Sequence, residues 1–335
     1  MWSEIHETMD LTPHTDVFSE REIMDIHVPQ PIESPPATLA QTQAEPQKVK
    51  ARWGYTVISW LGLVPFLLFC FLFEILPTLI IAQGSLVDDQ QALTFNNYQR
   101  LVTQSSTLHA FETSIELSLI TAIISGLIGP FAAYGLSTLP IPWLRNFLTG
   151  FSSVVANFTG VPLAYAFIST LGVTGFVTVL LKNVFHFSLY DLGFNLYSFW
   201  GLVLIYVYFE LPLMILITVP ALSALRSEWQ EAATSLGASQ FQYWRKVAFP
   251  ILLPSLIAAI MLLFANAFGA YATAYALGQG NINLITILIS FVVAGNVTID
   301  VGLGNALAVG MMLVLLIAIS LYLFMLRRAS VWQKR

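Results

Sequence analysis

Polar side chains interrupt the long apolar stretches of this sequence, and they are the residues that could do chemistry there. Glu210 is the most unusual, because it is a carboxyl group inside an apolar run and Pro212 follows it. Ionisable groups are costly inside a membrane, so they occur where they face protein or a water-filled cavity. Pro212 also lacks a backbone N–H and leaves a helix carbonyl free to face such a cavity. These features predict a path for a polar solute.

The polar residues that could line this path lie in three apolar stretches. They are Asn157, Thr159, Glu210, Asn266, Tyr271 and Thr273. For Glu210, the alternatives are a packing carboxyl that is protonated or hydrogen-bonded inside the protein, and a carboxyl displaced to the outer interface. For Asn157 and Asn266, the alternative is a hydrogen bond between helices. These interpretations stay open from residue type and position alone.

Patterns for catalysis, metal binding or nucleotide binding are weak. The single cysteine, Cys70, lies inside an apolar run, so a disulfide within the chain and a cluster of thiolate ligands are excluded. The segment His6-Glu7-Thr8-Met9-Asp10 begins like a zinc-protease helix but lacks the second histidine. No phosphate-binding loop of the type Gly-x-x-x-x-Gly-Lys-Ser/Thr occurs. We expect no catalytic residue, no metal site and no cofactor bound by this chain.

The elements that must position these residues follow from composition. Hydrophobic residues make up 56% and charged residues 10% of the 335 residues, whereas a soluble domain has roughly 25% charged residues. The apolar runs of about 20 or more residues are long enough, as helices, to cross a bilayer. The predicted fold class is an all-α integral membrane protein with about six transmembrane helices. The predicted spans are Val57–Ile81, Ser114–Leu139, Leu148–Leu171, Leu196–Leu222, Ile251–Leu277 and Leu303–Leu326.

Two further apolar stretches do not qualify as spans. Val173–Phe187 contains Lys182 and His186, and Ile282–Gly295 has only about half the length of a span. We expect both to be interfacial or re-entrant. A seventh span at Ile282–Gly295 would also place the basic C-terminal residues on the opposite side of the membrane from most of the other basic residues.

The distribution of basic residues predicts the orientation. With six spans, one side holds only Arg100 and Lys182, and the other side holds eleven basic residues from Lys48 onward, besides Arg21 of the N-terminal segment. Cytoplasmic loops collect Lys and Arg, so both termini of this multi-pass protein are expected on the cytoplasmic side of a plasma or inner membrane. The eleven are Lys48, Lys50, Arg52, Arg145, Arg226, Arg245, Lys246, Arg327, Arg328, Lys334 and Arg335.

The N-terminal segment has a different composition from the rest. Acidic residues outnumber basic ones nine to one in residues 1–47, and prolines are frequent. Such a segment cannot bury enough apolar surface to offset its ordering entropy. We therefore predict a disordered cytoplasmic tail over residues 1–50 and a transmembrane domain over residues 51–335.

The connection between the fourth and fifth spans, residues 226–250, is the longest and most polar cytoplasmic loop. Glu228 to Leu236 contains good helix formers, and Gly237 can end that helix in the left-handed conformation. Ala238 to Val247 can form a second helix before Pro250. A further apolar stripe of Trp229, Ala233 and Leu236 has helical spacing and could fit a groove on a partner.

This loop resembles the signature of the permease subunits of binding-protein-dependent, type I ABC importers. The matching residues, at the spacing of that signature, are Glu231, Ala232, Ala233, Gly237, Val247, Phe249 and Pro250. Val247 and Phe249 stand where Ile and Leu are commonest. The resemblance extends over about Trp53 to Arg328, includes Phe95-Asn96-Asn97-Tyr98, and is nearest to the polyamine-type permeases.

The resemblance implies a coupling helix in this loop that docks on a separate cytoplasmic ABC ATPase, with Glu231, Ala232, Ala233, Gly237 and Pro250 as its characteristic residues. ATP and Mg²⁺ are expected on that ATPase, so this chain is not expected to be an enzyme. The other implied partners are a second permease, the same or similar, an extracytoplasmic solute-binding protein and membrane lipid. No nucleic acid is expected.

The implied substrate is a small polar solute such as a polyamine. Importers of thiamine, phosphonate, iron(III) and inorganic anions are close alternatives. The alternative function is a stand-alone ion-coupled carrier or channel, which would not need the loop from Glu231 to Pro250.

Overall fold

A computed structural model describes residues 53–88, 92–278, 281–294 and 300–333 of the chain. The chain divides into two units, residues 1–63 and 64–335. In the first unit, only the beginning of the first helix, from Trp53, is described. The predicted acidic tail, residues 1–50, lies outside the described residues.

The described residues are almost entirely helical. The helices are α1 (Trp53–Cys70), α2 (Leu76–Gly84), α3 (Asn96–Thr103), α4 (Ser105–Ser137), α5 (Pro142–Asn157), α6 (Gly160–Leu171), α7 (Phe176–Phe185), α8 (Phe199–Ser223), α9 (Ser227–Ser235), α10 (Gln240–Tyr243), α11 (Phe249–Gly269), α12 (Ala272–Gly278), α13 (Ile285–Ala294) and α14 (Val301–Gln333). Two π-helical turns, Phe71–Ile75 and Trp244–Ala248, join α1 to α2 and α10 to α11.

Six stretches of the described residues are long and apolar enough to cross a membrane, which confirms the predicted number. They are Gly62–Gly84, Ser105–Ser137, Gly160–Phe185, Phe199–Ser223, Gln240–Gly269 and Val301–Ala329. α13 has only 10 residues and is too short to cross, as predicted for Ile282–Gly295. The all-α fold class is confirmed over the same part of the chain.

The third predicted span is wrong in its limits. Leu148–Leu171 is not one helix, because α5 ends at Asn157 and α6 begins at Gly160. Gly160 has φ +75°, a left-handed conformation that glycine adopts without strain, so the helix stops and restarts there. α6 and the nearby α7 form the stretch that can cross, whereas the sequence placed Val173–Phe187 at the interface.

The fifth predicted span, Ile251–Leu277, is interrupted as well. α11 ends at Gly269 and α12 begins at Ala272, with an extended backbone at Ala270. Within the membrane, a broken helix is stable only where other parts of the protein satisfy the freed backbone groups. Both breaks therefore require contacts from neighbouring helices.

The packing of α4 on α8 is the most extensive between any two described helices. Glycines of α4 allow close approach: a Cβ atom at Gly129 would lie 2.5 Å from Met214 Cγ on α8, and one at Gly126 would lie 2.5 Å from Ile260 Cγ1 on α11. Small residues let helix backbones come together in a membrane, where packing rather than the hydrophobic effect holds helices to each other. α4 is thus the central support for α8 and α11.

The main core cluster packs α6 and α12 against α8. Leu163 of α6, Tyr206 and Phe209 of α8, and Ala274 of α12 are each at most 1% exposed. This core holds the two helix breaks next to each other.

Candidate functional site

The two helix breaks lie in direct contact. The N–H of Gly160, at the beginning of α6, donates a hydrogen bond of 2.8 Å to Thr273 Oγ1 in α12. The same hydroxyl donates to the carbonyl oxygen of Gly160 at 3.3 Å. On the other side, Tyr206 Oη of α8 donates to the carbonyl oxygen of Ala270 at 2.8 Å. Side chains from two neighbouring helices therefore satisfy backbone groups that the breaks set free.

A cavity of about 360 Å³ lies between the breaks. The residues that line it are Thr159, Gly160, Phe209, Ala265, Asn266, Gly269, Ala270, Tyr271, Ala272 and Thr273. A cavity of this size in a membrane protein, formed by discontinuous helices with a few polar groups, is the usual form of a solute site.

Four of the six predicted pathway residues line this cavity, namely Thr159, Asn266, Tyr271 and Thr273. Asn157 does not, because its side chain donates to Ser153 O of its own helix at 2.8 Å. Thr273 is buried against α6 of its own chain, where its hydroxyl is hydrogen-bonded to the backbone of Gly160.

Glu210 lies behind the cavity wall rather than in it. Its side chain is fully buried, and Oε1 accepts a hydrogen bond of 2.9 Å from Nδ2 of Asn266, which is exposed to the cavity. Oε2 has no hydrogen-bond partner among the described residues. Glu210 reaches the cavity only through Asn266.

The sequence prediction missed Tyr206 and Ser290. Tyr206 lies one helical turn before Glu210, and Ser290 Oγ of α13 lies 3.0 Å from the hydroxyl of Tyr271. The four-residue spacing of Tyr206 and Glu210 was visible in the sequence as one face of a helix. Its partner, the carbonyl oxygen of Ala270, was not visible because the break at that residue was not predicted.

The loop between α8 and α11 has the predicted first helix and bend, but the second helix begins at Gln240 and continues past Pro250 into α11. Gly237 has φ +78° and follows α9, and its N–H and that of Ala238 donate to Thr234 O at 2.9 Å and Ala233 O at 3.0 Å. This is the glycine-terminated helix end known as a Schellman motif. Ser239 then begins α10 with a capping box.

The exposed face of α9 is mainly polar. Ser227, Gln230, Glu231, Thr234 and Ser235 line a shallow groove on this face. The predicted apolar stripe is divided, because Trp229 and Ala233 are half-buried and Leu236 is 89% exposed. A partner would therefore meet polar groups, a carboxylate and one apolar side chain.

An aromatic contact joins this loop to α4. The rings of Trp244, in the π-helical turn, and Tyr134, near the end of α4, meet edge to face at 5.0 Å between centroids. Beyond Trp244 the chain continues without a break through α11, so the helical stretch from Gln240 reaches Gly269 beside the cavity. One helical stretch therefore connects the exposed loop to the cavity.

At the other end of the molecule, an ion pair joins α3 to the beginning of α14. Arg100 Nη1 lies 2.6 Å from Asp300 Oδ2, and Asp300 Oδ1 accepts a hydrogen bond of 2.9 Å from the N–H of Leu303. Partial burial raises the pKa of the Asp300 carboxyl, but these hydrogen bonds and the Arg100 charge outweigh burial and hold the pKa below its usual value. Asn97 of the predicted Phe95–Tyr98 motif donates to Ser85 O at 3.1 Å.

A family model described as the inner membrane component of binding-protein-dependent transport systems matches residues 125–331. The chain belongs to this family. The match includes both helix breaks, the cavity and the α9 loop. It supports the resemblance that the loop residues indicated.

Relatives of this inner membrane component are named for different solutes. It is 27% identical over 70% of its length to the putative ferric transport system permease protein of Haemophilus influenzae, of which the match spans only 36%. It is 29% identical over 62% of its length to the trehalose transport system permease protein of Mycobacterium tuberculosis, of which 68% is covered. It is 26% identical over 58% of its length to the sulfate transport system permease protein of Salmonella typhimurium, of which 67% is covered.

Solved structures show the same fold. The inner membrane component aligns over 83% of its length with 98% of a chain of a bacterial ABC transporter that imports the acidic polysaccharide alginate, with a TM-score of 0.62 and 16% identity. A second structure, of a bacterial alginate transporter with a pentasaccharide-bound periplasmic protein, gives the same TM-score at 14% identity. None of these proteins is named for polyamines, so the predicted similarity to polyamine-type permeases gains no support from them.

Proposed function

We propose that this chain is the permease subunit of an ABC importer, which forms a path for a solute and is driven by ATPase subunits on separate chains. One observation carries the proposal: a single helical stretch, Gln240–Gly269, connects the exposed loop that begins with α9 to the polar cavity. Its 30 residues have a length of about 45 Å as a helix. A displacement of the loop by a partner is thereby transmitted to the cavity wall at Asn266.

The cytoplasmic partner is an ABC ATPase that holds ATP and Mg²⁺ and docks on α9. Glu231 faces outward in the groove, where its carboxylate can accept hydrogen bonds from the ATPase. The Gly237 cap fixes the direction in which α9 leaves the membrane surface. Both termini and the α9 loop lie in the cytoplasm in this assembly, and an extracytoplasmic binding protein delivers the solute to the opposite face.

A second permease subunit, the same or similar, completes the path. In the single chain the cavity is open, and Thr159 and Asn266 are exposed. Polar groups exposed to lipid are costly, and irregular backbone is tolerated at membrane depth only when protein or water covers it. A second permease at the open side of the cavity separates these groups from lipid.

The substrate is a small polar solute. A polyamine was the expectation from the sequence, whereas the relatives are named for iron, trehalose and sulfate. Measuring the ligand of the associated binding protein by calorimetry identifies the solute. A stand-alone carrier or channel remains the alternative function, and no described feature favours it over the importer.

The proposal is tested by Glu231→Lys, with Glu228→Lys as a matched control on the same helix. Both residues are exposed, but only Glu231 lines the groove. Glu231→Lys should reach the membrane normally but lose most of the co-purifying ATPase, because a positive charge replaces an acceptor at the contact. Glu228→Lys should retain it. If no ATPase co-purifies with the wild-type chain, the carrier or channel replaces the importer.

A further inference from the structure

The hydrogen bond between Glu210 and Asn266 gives the cavity a chemical preference. We propose that Glu210 is a positioning residue: it holds the Asn266 amide with its nitrogen toward α8 and its carbonyl oxygen toward the cavity, so that the path favours solutes bearing hydrogen-bond donors over oxyanions. Such solutes are polyols, amines and hydrated cations. This inference rests on the proposed function, because it assigns a substrate class to the same path.

The orientation of the amide follows from the contacts of α8 with the last turn of α11. Tyr206 and Glu210 lie one turn apart on α8, and their partners are Asn266 in the last turn of α11 and Ala270 just after the end of that helix. The two hydrogen bonds, of 2.8 and 2.9 Å, prevent α11 from rotating against α8. With Nδ2 of Asn266 committed to Glu210, Oδ1 remains on the opposite side, where Asn266 lines the cavity.

Several backbone donors that could bind an anion are already used. The beginning of α6 faces the cavity, and backbone N–H groups at the start of a helix attract anions. Here the N–H of Thr159 donates to Asn157 O at 3.1 Å, that of Gly160 donates to Thr273 Oγ1 at 2.8 Å, and Pro162 has none. Thr159, Gly160 and Pro162 therefore offer no free backbone N–H to an oxyanion.

The charged groups near the cavity also favour donor-bearing solutes over oxyanions. Among the described residues that line it, none is Lys, Arg or His. The fully buried carboxyl of Glu210 adjoins the cavity through its hydrogen bond to Asn266. The hydroxyl of Thr273 is occupied by Gly160. The carbonyl oxygen of Asn266 is thus a fixed hydrogen-bond acceptor in a cavity whose other polar side chains are the hydroxyl groups of Thr159, Tyr271 and Thr273.

Thiol labelling tests this preference without knowledge of the solute. The single native cysteine is removed as Cys70→Ala, and a reporter is placed in the cavity wall as Ala272→Cys. The full-length chain with its ATPase partner, in lipid nanodiscs, is treated with cationic, anionic and neutral methanethiosulfonates of similar size, with and without ATP and Mg²⁺. Rates are divided by those of Val102→Cys, a reference on α3 that is 60% exposed and distant from the cavity in sequence.

The cationic reagent should react several-fold faster than the anionic reagent at Ala272→Cys after this correction, because the carbonyl oxygen of Asn266 and the carboxyl of Glu210 behind it favour a cation over an oxyanion. The neutral reagent, which carries a hydroxyl, should lie between them or equal the cationic one. If the neutral reagent reacts as fast as the cationic one, the preference extends to hydroxyl donors as well as to positive charge. Equal rates for cation and anion, or a faster anion, overturn the inference.

A double-mutant cycle separates positioning by Glu210 from a direct effect of its charge. Glu210→Gln lets the Asn266 amide turn and should lower the cation-to-anion ratio several-fold. Asn266→Ala should lower it as much, and Glu210→Gln should then have no further effect. Additive effects would show that Glu210 acts by itself and would overturn its positioning role. The cation-to-anion labelling ratio of the protein that retains Glu210 tests the preference even if both variants fail to fold.

The outcomes also distinguish this inference from the proposed function. If no reagent labels Ala272→Cys in either nucleotide state while Val102→Cys reacts, the cavity is not a path and both fail. If labelling occurs without preference, only the substrate class fails. If the ATPase does not co-purify, the importer fails whatever the labelling pattern.

Discussion

Single residues in this protein matter mainly through hydrogen bonds that cross from one helix to another. Tyr206 and Thr273 satisfy backbone groups at the breaks, and Glu210 holds Asn266. A buried polar group left without a partner costs about 1–3 kcal/mol, so these contacts decide where the helices can stop. The unpaired Oε2 of Glu210 is the exception among them.

The ion pair of Arg100 and Asp300 yields a prediction of pH dependence at this scale. The folded-state pKa of Asp300 is lowered, so its stabilisation is fully present above the unfolded aspartate pKa of about 3.9. It is lost as the pH falls through the lower folded value. Asp300→Asn should therefore reduce stability at pH 7 by about 0.5 kcal/mol, because the pair is partly exposed and screened.

Thermal unfolding of both proteins in detergent across acidic pH measures this difference. Asparagine also begins helices well, so the change removes the charge and keeps the contact with the N–H of Leu303. The gap between wild type and Asp300→Asn should shrink as the pH falls. A gap that is constant from neutral to strongly acidic pH would show that the ion pair contributes nothing.

At the scale of elements, the glycine-terminated end of α9 determines how the loop is presented. Gly237 has a left-handed backbone and no atom within 4 Å of an added Cβ, so a substitution there meets strain from φ alone. A β-branched residue is least able to adopt this conformation, whereas asparagine tolerates it. The direction of α9 relative to α10 depends on this one residue.

Gly237→Val should weaken coupling, and Gly237→Asn should preserve it. Valine at this φ should cost about 1–2 kcal/mol and shift the end of α9, so the docking groove is displaced. ATP hydrolysis and transport are measured in reconstituted vesicles for both variants. Equal activities of the valine and asparagine variants would contradict the requirement for a left-handed cap.

At the scale of the whole molecule, α4 holds α8 and α11 together through close approach at its glycines. Gly129 and Gly135 lie on the same helix but differ in surroundings. A Cβ at Gly129 would meet Met214, while one at Gly135 would meet nothing within 4 Å. The pair therefore tests packing at two positions of one helix.

Gly129→Val should destabilise the protein by about 1–3 kcal/mol through overpacking against α8. Gly135→Val should have little effect. Retention of the folded protein after heating in detergent, followed by size-exclusion chromatography, measures both. Similar losses for the two variants would show that the crossing of α4 and α8 relaxes without cost.

The sequence by itself determined the properties that depend on neighbouring residues. Apolar run length predicted six membrane-spanning stretches, because crossing a bilayer needs a set number of helical residues. Helix formers followed by Gly237 predicted the bend after α9, because the left-handed cap is a property of a few adjacent residues. Four of the cavity residues were found because polar groups in apolar runs are conspicuous.

Only the tertiary structure decided where the helices break and which polar groups face the cavity. The bonds that define the breaks join residues far apart in sequence, with separations of 113 for Gly160 and Thr273 and 64 for Tyr206 and Ala270. Local hydropathy cannot register a distant hydroxyl that satisfies a freed backbone group. For the same reason Glu210 could be recognised as unusual, but its place behind Asn266, 56 residues away, was set by the packing of α8 on α11.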